Sequence, residues 1–254
     1  MNTDHIAAII LAAGHGTRMN STRTNKVMSI LGGKPMLYYT IGHIRSVGIR
    51  SIVVVVGFAK ENIRSYFGSN VTYAVQEKQL GTADAALCGM QMLPGAIDTV
   101  LSVYGDDSYN YSKELLERMI RTHREEQADV TLLTVTMDDP TGLGRIVRDK
   151  NGRLSSIVED KNATKEQKRI REINTGCYVF NRRFAQQIIP EIPLNRVSCE
   201  YYLTDCIELA VRRGNRVASV KAGSIPWRGV NRPEELEEAR LILQKNNFQS
   251  GSFR

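Results

Sequence analysis

The sequence predicts an α/β fold with a mostly parallel sheet and helices on both of its faces. Along the first half of the chain, short apolar and β-branched runs alternate with amphipathic segments, which is typical of parallel strands joined by helices. The run Val53–Val56 is continuously apolar, as expected of a strand that is covered on both faces. The 254 residues contain no linker rich in Pro, Gly or Ser, so we expect one large Rossmann-like domain.

The first half of the chain predicts strands and helices in strict alternation. Strands are expected over residues 6–11, 51–56, 71–75 and 99–104, and helices over 36–47, 60–67 and 82–92. Because the carboxyl ends of parallel strands meet at one edge of a sheet, the loops that follow residues 11 and 104 are expected to face one cleft.

After Tyr104 the pattern changes and predicts a small β-hairpin region beside the main sheet. The hairpin is expected within 146–158, where the turn Asp149-Lys150-Asn151-Gly152 separates two alternating strands. Pro233 and the acidic residues behind it favour a C-terminal helix over 233–243. The other predicted elements are a helix over 112–127, a strand over 129–136, and then helix, strand, helix and strand as far as Lys221.

The net charge of +7 is compatible with nucleic acid, a membrane surface or small anions as partners. Placement supports only the small anions, because Lys26 and Lys34 lie close to a glycine-rich loop. The basic segment 165–171 is interpreted as a solvated helix face, and no aromatic residues interleave it as single-stranded nucleic acid binding requires. We therefore expect no nucleic-acid partner.

The remaining composition points to a soluble cytoplasmic protein. The longest apolar run, 6–13, is too short to span a bilayer, and Asp4 lies where a signal peptide would carry positive charge. The cysteines and histidines lack the spacing of a zinc site. Buried thiols are therefore expected at Cys88, Cys177, Cys199 and Cys206.

The segment Ala7–Met19 carries the clearest functional signal. A buried strand runs directly into Gly14 and Gly16, where backbone amides can approach a phosphate or a base without obstruction, and Arg18 adds a cation. A dinucleotide-binding fingerprint requires a third glycine where Met19 lies, and a Walker loop requires a Gly-Lys-Ser/Thr sequence that is absent. A nucleotide-binding loop of another type is therefore expected, and a nicotinamide-dependent reductase is disfavoured.

The loop and seven further motifs resemble those of one enzyme family, in the family's order. The loop reads LAAGHGTRM, with Lys26 downstream, and the later motifs read QEKQLGTADA, YGDD, DDPTGLGRIV, IVEDKNAT, EINTG, EYYLTD and GVN. This pattern resembles the nucleoside-diphosphate-sugar pyrophosphorylases, and within them the uridylyltransferase domain of the bacterial bifunctional enzymes that form UDP-N-acetylglucosamine.

The resemblance implies a glycosyltransferase-A-like nucleotidyltransferase fold in a single domain over residues 1–254. Residues 1–110 would bind mainly the nucleotide and residues 111–232 mainly the sugar phosphate, followed by a C-terminal helix over 233–246 and a frayed tail over 247–254. No hexapeptide repeats of the acetyltransferase part of those enzymes are present, so acetyltransferase activity is not expected.

Attack of a phosphate oxygen on a triphosphate requires positive charge between two anions, and the matching residues supply it. The resemblance assigns Arg18, Lys26 and Asp106 to catalysis, and Asp106 and Asn231 to a Mg²⁺ ion. Each residue also has a structural interpretation: Arg18 and Lys26 as surface cations, Asp106 as a turn cap, and Asn231 as a helix N-cap.

The resemblance further assigns two sets of binding residues. The nucleotide set comprises Leu11, Ala12, Ala13, Gly14, Gly16, Thr17, Gln76, Gly81 and Thr82. The sugar set comprises Gly142, Glu159, Asn174, Tyr202 and Thr204. An amide such as that of Gln76 offers a donor and an acceptor, which matches the imide edge of uracil or thymine. Alternatively, Gln76 is only a polar loop residue, Glu159 pairs with Lys161, and Gly142 is a turn glycine.

Two departures from the family pattern concern the active site. Asn25 precedes Lys26 where proline is usual, with one residue more than usual after Arg18, and Asp107-Ser108-Tyr109 replaces a short apolar segment. We expect Mg²⁺-dependent transfer of a nucleotidyl group from UTP to N-acetylglucosamine 1-phosphate, with release of pyrophosphate. The alternatives are a hexose 1-phosphate acceptor, CTP or dTTP as donor, and a non-catalytic nucleotide-sugar-binding protein. The oligomeric state is left open.

Overall fold

The structure of the protein, a computed structural model, describes residues 2–16, 19, 23–223, 227 and 229–250, with side chains as far as residue 244. The helices in this part of the chain are α1 Met36–Ser46, α2 Lys60–Phe67, α3 Thr82–Gln91, α4 Lys113–Glu125, α5 Arg182–Ile188, α6 Asp205–Arg212 and α7 Pro233–Ser250. The strands are β1 Ile6–Ala12, β2 Ile30–Leu31, β3 Lys34–Pro35, β4 Ser51–Val56, β5 Thr72–Val75, β6 Thr99–Tyr104, β7 Val130–Thr136, β8 Arg145–Arg148, β9 Leu154–Val158, β10 Glu172–Asn181 and β11 Val217–Lys221.

The main sheet runs in the order β11-β7-β10-β6-β1-β4-β5. Strand β1 pairs in parallel with β4 and β6, β4 with β5, and β11 with β7. Strand β10 lies antiparallel between β6 and β7. The mostly parallel sheet is confirmed, whereas the reversed central strand was not predicted.

Every residue of β1 is buried, because the strand has a neighbouring strand on each edge and helices on both faces. Successive side chains in a strand point to opposite faces. Ile6, Ala8 and Ile10 accordingly belong to one core, and Ala7 and Ile9 to the other. Helices α1, α2 and α4 cover the first core, and α3, α5 and α6 cover the second. The prediction of helices on both faces is thus confirmed.

Helix α3 lies unusually close to β1. A Cβ atom added at Gly89 of α3 would come within 2.5 Å of Ile9 Cγ2 and 3.0 Å of Val55 Cγ2. Only glycine allows this approach, because real Cβ atoms do not come so near another carbon. The C-terminal half of α3 therefore packs directly on the central strands β1 and β4.

The predicted hairpin within 146–158 is present. Strands β8 and β9 pair antiparallel, with Ile146 opposite Ile157, and β8 attaches the hairpin to β10. Its turn closes with a hydrogen bond from Asp149 N to Arg153 O of 2.8 Å.

Two predicted helical segments differ from the structure. Residues 165–171 form only a short 3-10 turn over Gln167–Arg169, because this segment has no apolar stripe that could pack against the core. The single helix expected between β10 and β11 is divided into α5 and α6, since Pro190 and Pro193 cannot continue a helix. Among the described residues, we find no helix with the length and hydrophobicity that crossing a bilayer requires.

Helix α4 carries a buried histidine on its last turn. The Nδ1 atom of His123 lies 3.0 Å from Thr131 Oγ1 on β7. Burial lowers the pKa of His123 to about 4, although Asp129 nearby has the opposite effect. The side chain is therefore neutral in the folded protein at neutral pH.

The depressed pKa of His123 makes folding pH-dependent. Between pH 6.5 and pH 4 the unfolded chain protonates this residue while the folded protein does not, so stability is lost as the pH falls. Lowering the pH from 7 to 5 is expected to remove about 2 kcal/mol of unfolding free energy through this group. The measurement is urea unfolding of the wild-type protein and of His123→Asn at both pH values. The non-titrating variant should lose less stability on acidification, and equal losses would contradict the assignment.

Candidate active site

A cleft with a volume of about 400 Å³ opens at the carboxyl ends of β1, β5 and β6. Ligands collect at this edge in open α/β sheets. Three groups of predicted residues line it. The first comprises Leu11, Ala12, Ala13, Gly14, Gly16, Gln76, Gly81 and Thr82; the second Lys26, Asp106 and Asn231; and the third Gly142, Glu159, Asn174 and Thr204.

Three predicted site residues are not part of this lining. Thr17 and Arg18 lie outside the described residues. Tyr202 does not line the cleft, and its ring lies 5.6 Å below the ammonium group of Lys161 instead. Among the described residues there is no ion pair between Glu159 and Lys161.

The second group meets at one end of the cleft. Lys26 Nζ donates to Asp106 Oδ2 and, at 2.9 Å, to Asn231 Oδ1. The Asp106 turn and the Asn231 loop are held together by a hydrogen bond of 3.0 Å from Val230 N to Asp106 O. A carboxylate oxygen and an amide oxygen therefore share one cationic group.

Asn25 fixes the position of Lys26. Its side-chain oxygen accepts from Val27 N at 3.1 Å, which caps the 3-10 turn that carries Lys26. Its amide nitrogen donates to Ala12 O at 2.8 Å and to Phe58 O at 2.9 Å. Asn25 thus ties this turn to the end of β1 and to the loop after β4.

A second carboxyl group lies beside this cluster. Asp107 is only 5% exposed, and its Oδ1 atom is buried without a hydrogen-bond partner among the described residues. Burial, followed by repulsion from Asp106, raises the pKa of Asp107 well above its usual value, while Lys26 opposes the shift. Asp107 faces the cleft at the point where the sequence departs from the family pattern.

The end of the cleft that is predicted to bind the base, called the base end below, is organised around Gln76, which is 4% exposed. Its amide nitrogen donates to Gly81 O at 2.9 Å and to Asp84 Oδ2 at 2.7 Å. Both partners are acceptors, so the nitrogen must face them and both of its hydrogens are used. Gln76 can offer a ligand only its oxygen, whereas the sequence argument assumed a donor as well.

Gly81 and Thr82 connect the base end to the segment before α6. Gly81 has φ +109°, and a Cβ atom there would lie 2.5 Å from Tyr201 O, so only glycine fits. Thr82 Oγ1 accepts a hydrogen bond of 2.9 Å from Leu203 N. The start of α3 therefore holds two walls of the cleft together.

Two of the residues in the predicted sugar set, Glu159 and Thr204, present polar groups to the cleft. Burial, followed by repulsion from Asp205, raises the pKa of the Glu159 carboxyl. The hydroxyl of Thr204 is buried without a hydrogen-bond partner among the described residues. Asn174 is held by hydrogen bonds to Tyr178 Oη at 2.8 Å and from Gly176 N at 3.2 Å. A hydroxyl-rich ligand would satisfy the free groups of this region.

Comparison with known proteins identifies the family, since residues 7–246 match Nucleotidyl transferase. The chain belongs to the nucleotidyl transferase family. The predicted family resemblance and the predicted fold class are both confirmed.

The curated relatives of this nucleotidyltransferase are longer proteins. It is 38% identical over 239 residues to Bifunctional protein GlmU of Halalkalibacterium halodurans, covering 94% of this chain and 52% of that protein. It is 44% identical over 225 residues to Bifunctional protein GlmU of Symbiobacterium thermophilum, covering 86% of this chain and 46% of that protein. The chain thus spans about half the length of the curated relatives it matches.

A solved structure shares the fold of this nucleotidyltransferase. It is a Bacillus anthracis chain in complex with sucrose, whose assigned name is that of a glucose-1-phosphate thymidylyltransferase. The two chains align with a TM-score of 0.77 and 23% identity, covering 93% of this chain and 94% of the other. At this identity the likeness concerns the fold alone.

Sequence reasoning missed several residues of this nucleotidyltransferase cleft. Asn25 was noted only as a departure, although an Asn just before a short helical turn is a recognised capping signal. Gln79 also lines the cleft and hydrogen-bonds with His15 at 3.0 Å. Trp227 lines it as well, with its indole nitrogen 3.3 Å from Tyr111 Oη. Gln79 belongs to the motif QEKQLGTADA but was given no binding role, and no local pattern marks Trp227, because its position depends on distant segments.

Proposed function

We propose that this protein transfers a nucleotidyl group from a nucleoside triphosphate to a sugar 1-phosphate and releases pyrophosphate. UTP and N-acetylglucosamine 1-phosphate are the proposed substrates. The observation that carries the proposal is the meeting of Lys26, Asp106 and Asn231 at one end of a cleft whose other parts contain the predicted base and sugar residues. The family and the GlmU relatives support it.

In the proposed reaction an oxygen of the sugar phosphate attacks the α-phosphorus in line. A new oxygen–phosphorus bond forms, and the bond between the α-phosphorus and the departing pyrophosphate breaks. Both reactants are anions, so the chain must lower their repulsion and hold them in line. Lys26 places an ammonium group where it can contact both, and Arg18 is proposed to neutralise the pyrophosphate.

The donor set at the cluster fits a magnesium ion. Mg²⁺ prefers oxygen ligands and keeps several positions for water and phosphate. Asp106 Oδ2 and Asn231 Oδ1 both reach the single ammonium of Lys26, so they are close enough to share a divalent cation. When bound there, Mg²⁺ would neutralise charge on the triphosphate. Lys26 would then turn from these oxygens toward the phosphates.

The orientation of Gln76 supports a base with an imide group. Its oxygen can accept a hydrogen bond from N3–H of uracil or thymine. Cytosine presents an unprotonated N3, and two acceptors would then face each other. UTP and dTTP are therefore favoured over CTP. Between these two, UTP is proposed on the basis of the GlmU relatives alone.

The proposed function is tested by pyrophosphate release with each triphosphate and a panel of sugar 1-phosphates in the presence of Mg²⁺. Asp106→Asn is expected to reduce kcat by about 10²- to 10⁴-fold, because stabilisation of transition-state charge is lost. The matched control is Glu191→Gln, which neutralises an exposed carboxylate paired with Arg213. It should leave the rate unchanged. Binding of nucleotide sugars without turnover in the wild-type protein would favour a non-catalytic role and overturn the proposal.

Base preference is expected to follow the amide of Gln76. The ratio of kcat/KM for UTP over CTP should be about 10- to 100-fold, the effect of one lost hydrogen bond that leaves a buried acceptor unpaired. Asp84→Asn should reduce this ratio, since an amide at position 84 no longer fixes the orientation of Gln76. Equal use of CTP by the wild-type protein would show that Gln76 does not select the base.

Lys26 and a divalent cation are expected to compete for the same oxygens. Without nucleotide, Lys26→Met should therefore bind Mn²⁺ about 10-fold or more tightly than the wild-type protein, because a positive charge next to the site is removed. Asp106→Asn should bind it more weakly. Electron paramagnetic resonance of free Mn²⁺ measures both affinities without turnover. Weaker Mn²⁺ binding by Lys26→Met would place the cation elsewhere.

A further inference from the structure

Arg145, the first residue of β8, is a buried charge with no assigned role. Its side chain is only 2% exposed. Nη2 donates to Asp160 Oδ1 at 2.8 Å and Nη1 donates to the carbonyl oxygen of Leu143, while Nε is buried without a partner among the described residues. Burying a guanidinium is costly unless its donors are paired, so the two hydrogen bonds that Arg145 makes must offset that cost.

The partners of Arg145 belong to two walls of the sugar end of the cleft. Leu143 lies in the loop between Gly142 and Gly144, which lines the cleft. Asp160 directly follows Glu159, another lining residue. The side chain of Arg145 is not itself part of the lining, so it can affect the cleft only through the residues that it contacts.

The backbone of Arg145 also connects to a third segment of the cleft wall, residues 173–174 of β10. Arg145 pairs with Val158 on β9 and with Ile173 on β10. The residue after Ile173, Asn174, donates its N–H to Gly144 O at 3.0 Å. Segments 142–144, 159–160 and 173–174 therefore all meet at this one residue.

The loop 142–144 is also held by a hydrogen bond of 3.1 Å from Leu143 N to Pro140 O and by packing of Leu143 against the core, but neither contact links it to Glu159. A Cβ atom at Gly142 would have no neighbour within 4 Å, so no other segment restricts the space on that side of Gly142. A Cβ atom at Gly144 would lie 3.6 Å from Glu159 Oε1, so the loop and the carboxylate are already in contact distance. A small shift of either segment would change the space for a ligand.

We propose that Arg145 is a positioning residue for the acceptor: it holds the loop 142–144 and Glu159 at the separation that binds the sugar of a sugar 1-phosphate. The inference rests on the proposed function. The planar guanidinium suits the task, since it donates to two acceptors in fixed directions. Lysine provides one flexible point charge and reproduces the arrangement only in part.

Steady-state kinetics with both substrates tests this role. Arg145→Met is expected to raise KM for the sugar 1-phosphate about 10- to 100-fold, because displacement of a binding group by about 1 Å has effects of this size. KM for the triphosphate should change less than about twofold, since the base end does not contact Arg145. Arg145→Lys and Asp160→Asn should also raise KM for the sugar 1-phosphate more than KM for the triphosphate, but by smaller factors. These two variants replace Arg145→Met in the test if that variant does not fold.

Arg148 provides a matched control on the same strand. It forms an ion pair of 2.6 Å with Glu172 on β10 and donates to Ser219 Oγ on β11 at 3.1 Å, away from the cleft. Arg148→Met should lower the Tm without separating the two KM values. Equal increases in both KM values for Arg145→Met would reduce Arg145 to a general structural role and overturn the proposal.

Hydrogen exchange separates this inference from the proposed function. In the protein without substrates, the amides of 142–144 and 159–160 should exchange faster in Arg145→Met than in wild type, while those of 105–107 should not. Unchanged exchange in the first two segments overturns the positioning role whatever the activity. Absence of turnover in the wild-type protein overturns the proposed function, and with it the acceptor that Arg145 is proposed to serve.

Discussion

The contact of Lys26 with Asp106 and Asn231 is the interaction on which the rest of the site depends, because it joins three segments far apart in the sequence. It forms only where β1 and β6 are neighbours that end at the same edge of the sheet. Asn25 then fixes the lysine turn against β1, and the bond from Val230 N to Asp106 O brings in the loop before α7. A cluster of opposite charges is stable here because each member is tied to a rigid element.

Much of the fold follows from local pattern, and the rest depends on distant partners. The strands before residue 105 are recognisable because a strand covered on both faces has few polar residues, and β4 is the clearest case. The hairpin of β8 and β9 follows from its Asn-Gly turn. The sequence carries no signal for the reversed direction of β10, since side-chain alternation is the same in both directions. The helix expected over 165–171 was wrong because charge alone gives a helix nothing to pack against.

The site shows the same division. Most residues that the family motifs assign to phosphate, base and sugar line one cleft, while the roles assigned to them remain predictions. The roles of Thr17 and Arg18 also remain predictions. Tyr202 was placed in the sugar set by its motif, yet its ring lies under Lys161. The supporting residues were beyond sequence reasoning. Asp84 orients Gln76, and Arg145 joins Leu143 to Asp160, through contacts between segments that are neighbours only after folding.

The close approach of α3 to β1 at Gly89 has a consequence for how such an enzyme could change its nucleotide. Helix α3 starts next to Gly81 and Thr82, which are predicted to bind the base, and it packs on Ile9 near its other end. A methyl group at position 89 would clash with Ile9 and Val55, so the helix or these two side chains would have to shift. For the proposed base site, new preferences are thus more accessible to evolution through side chains around Gln76 than through movement of this helix.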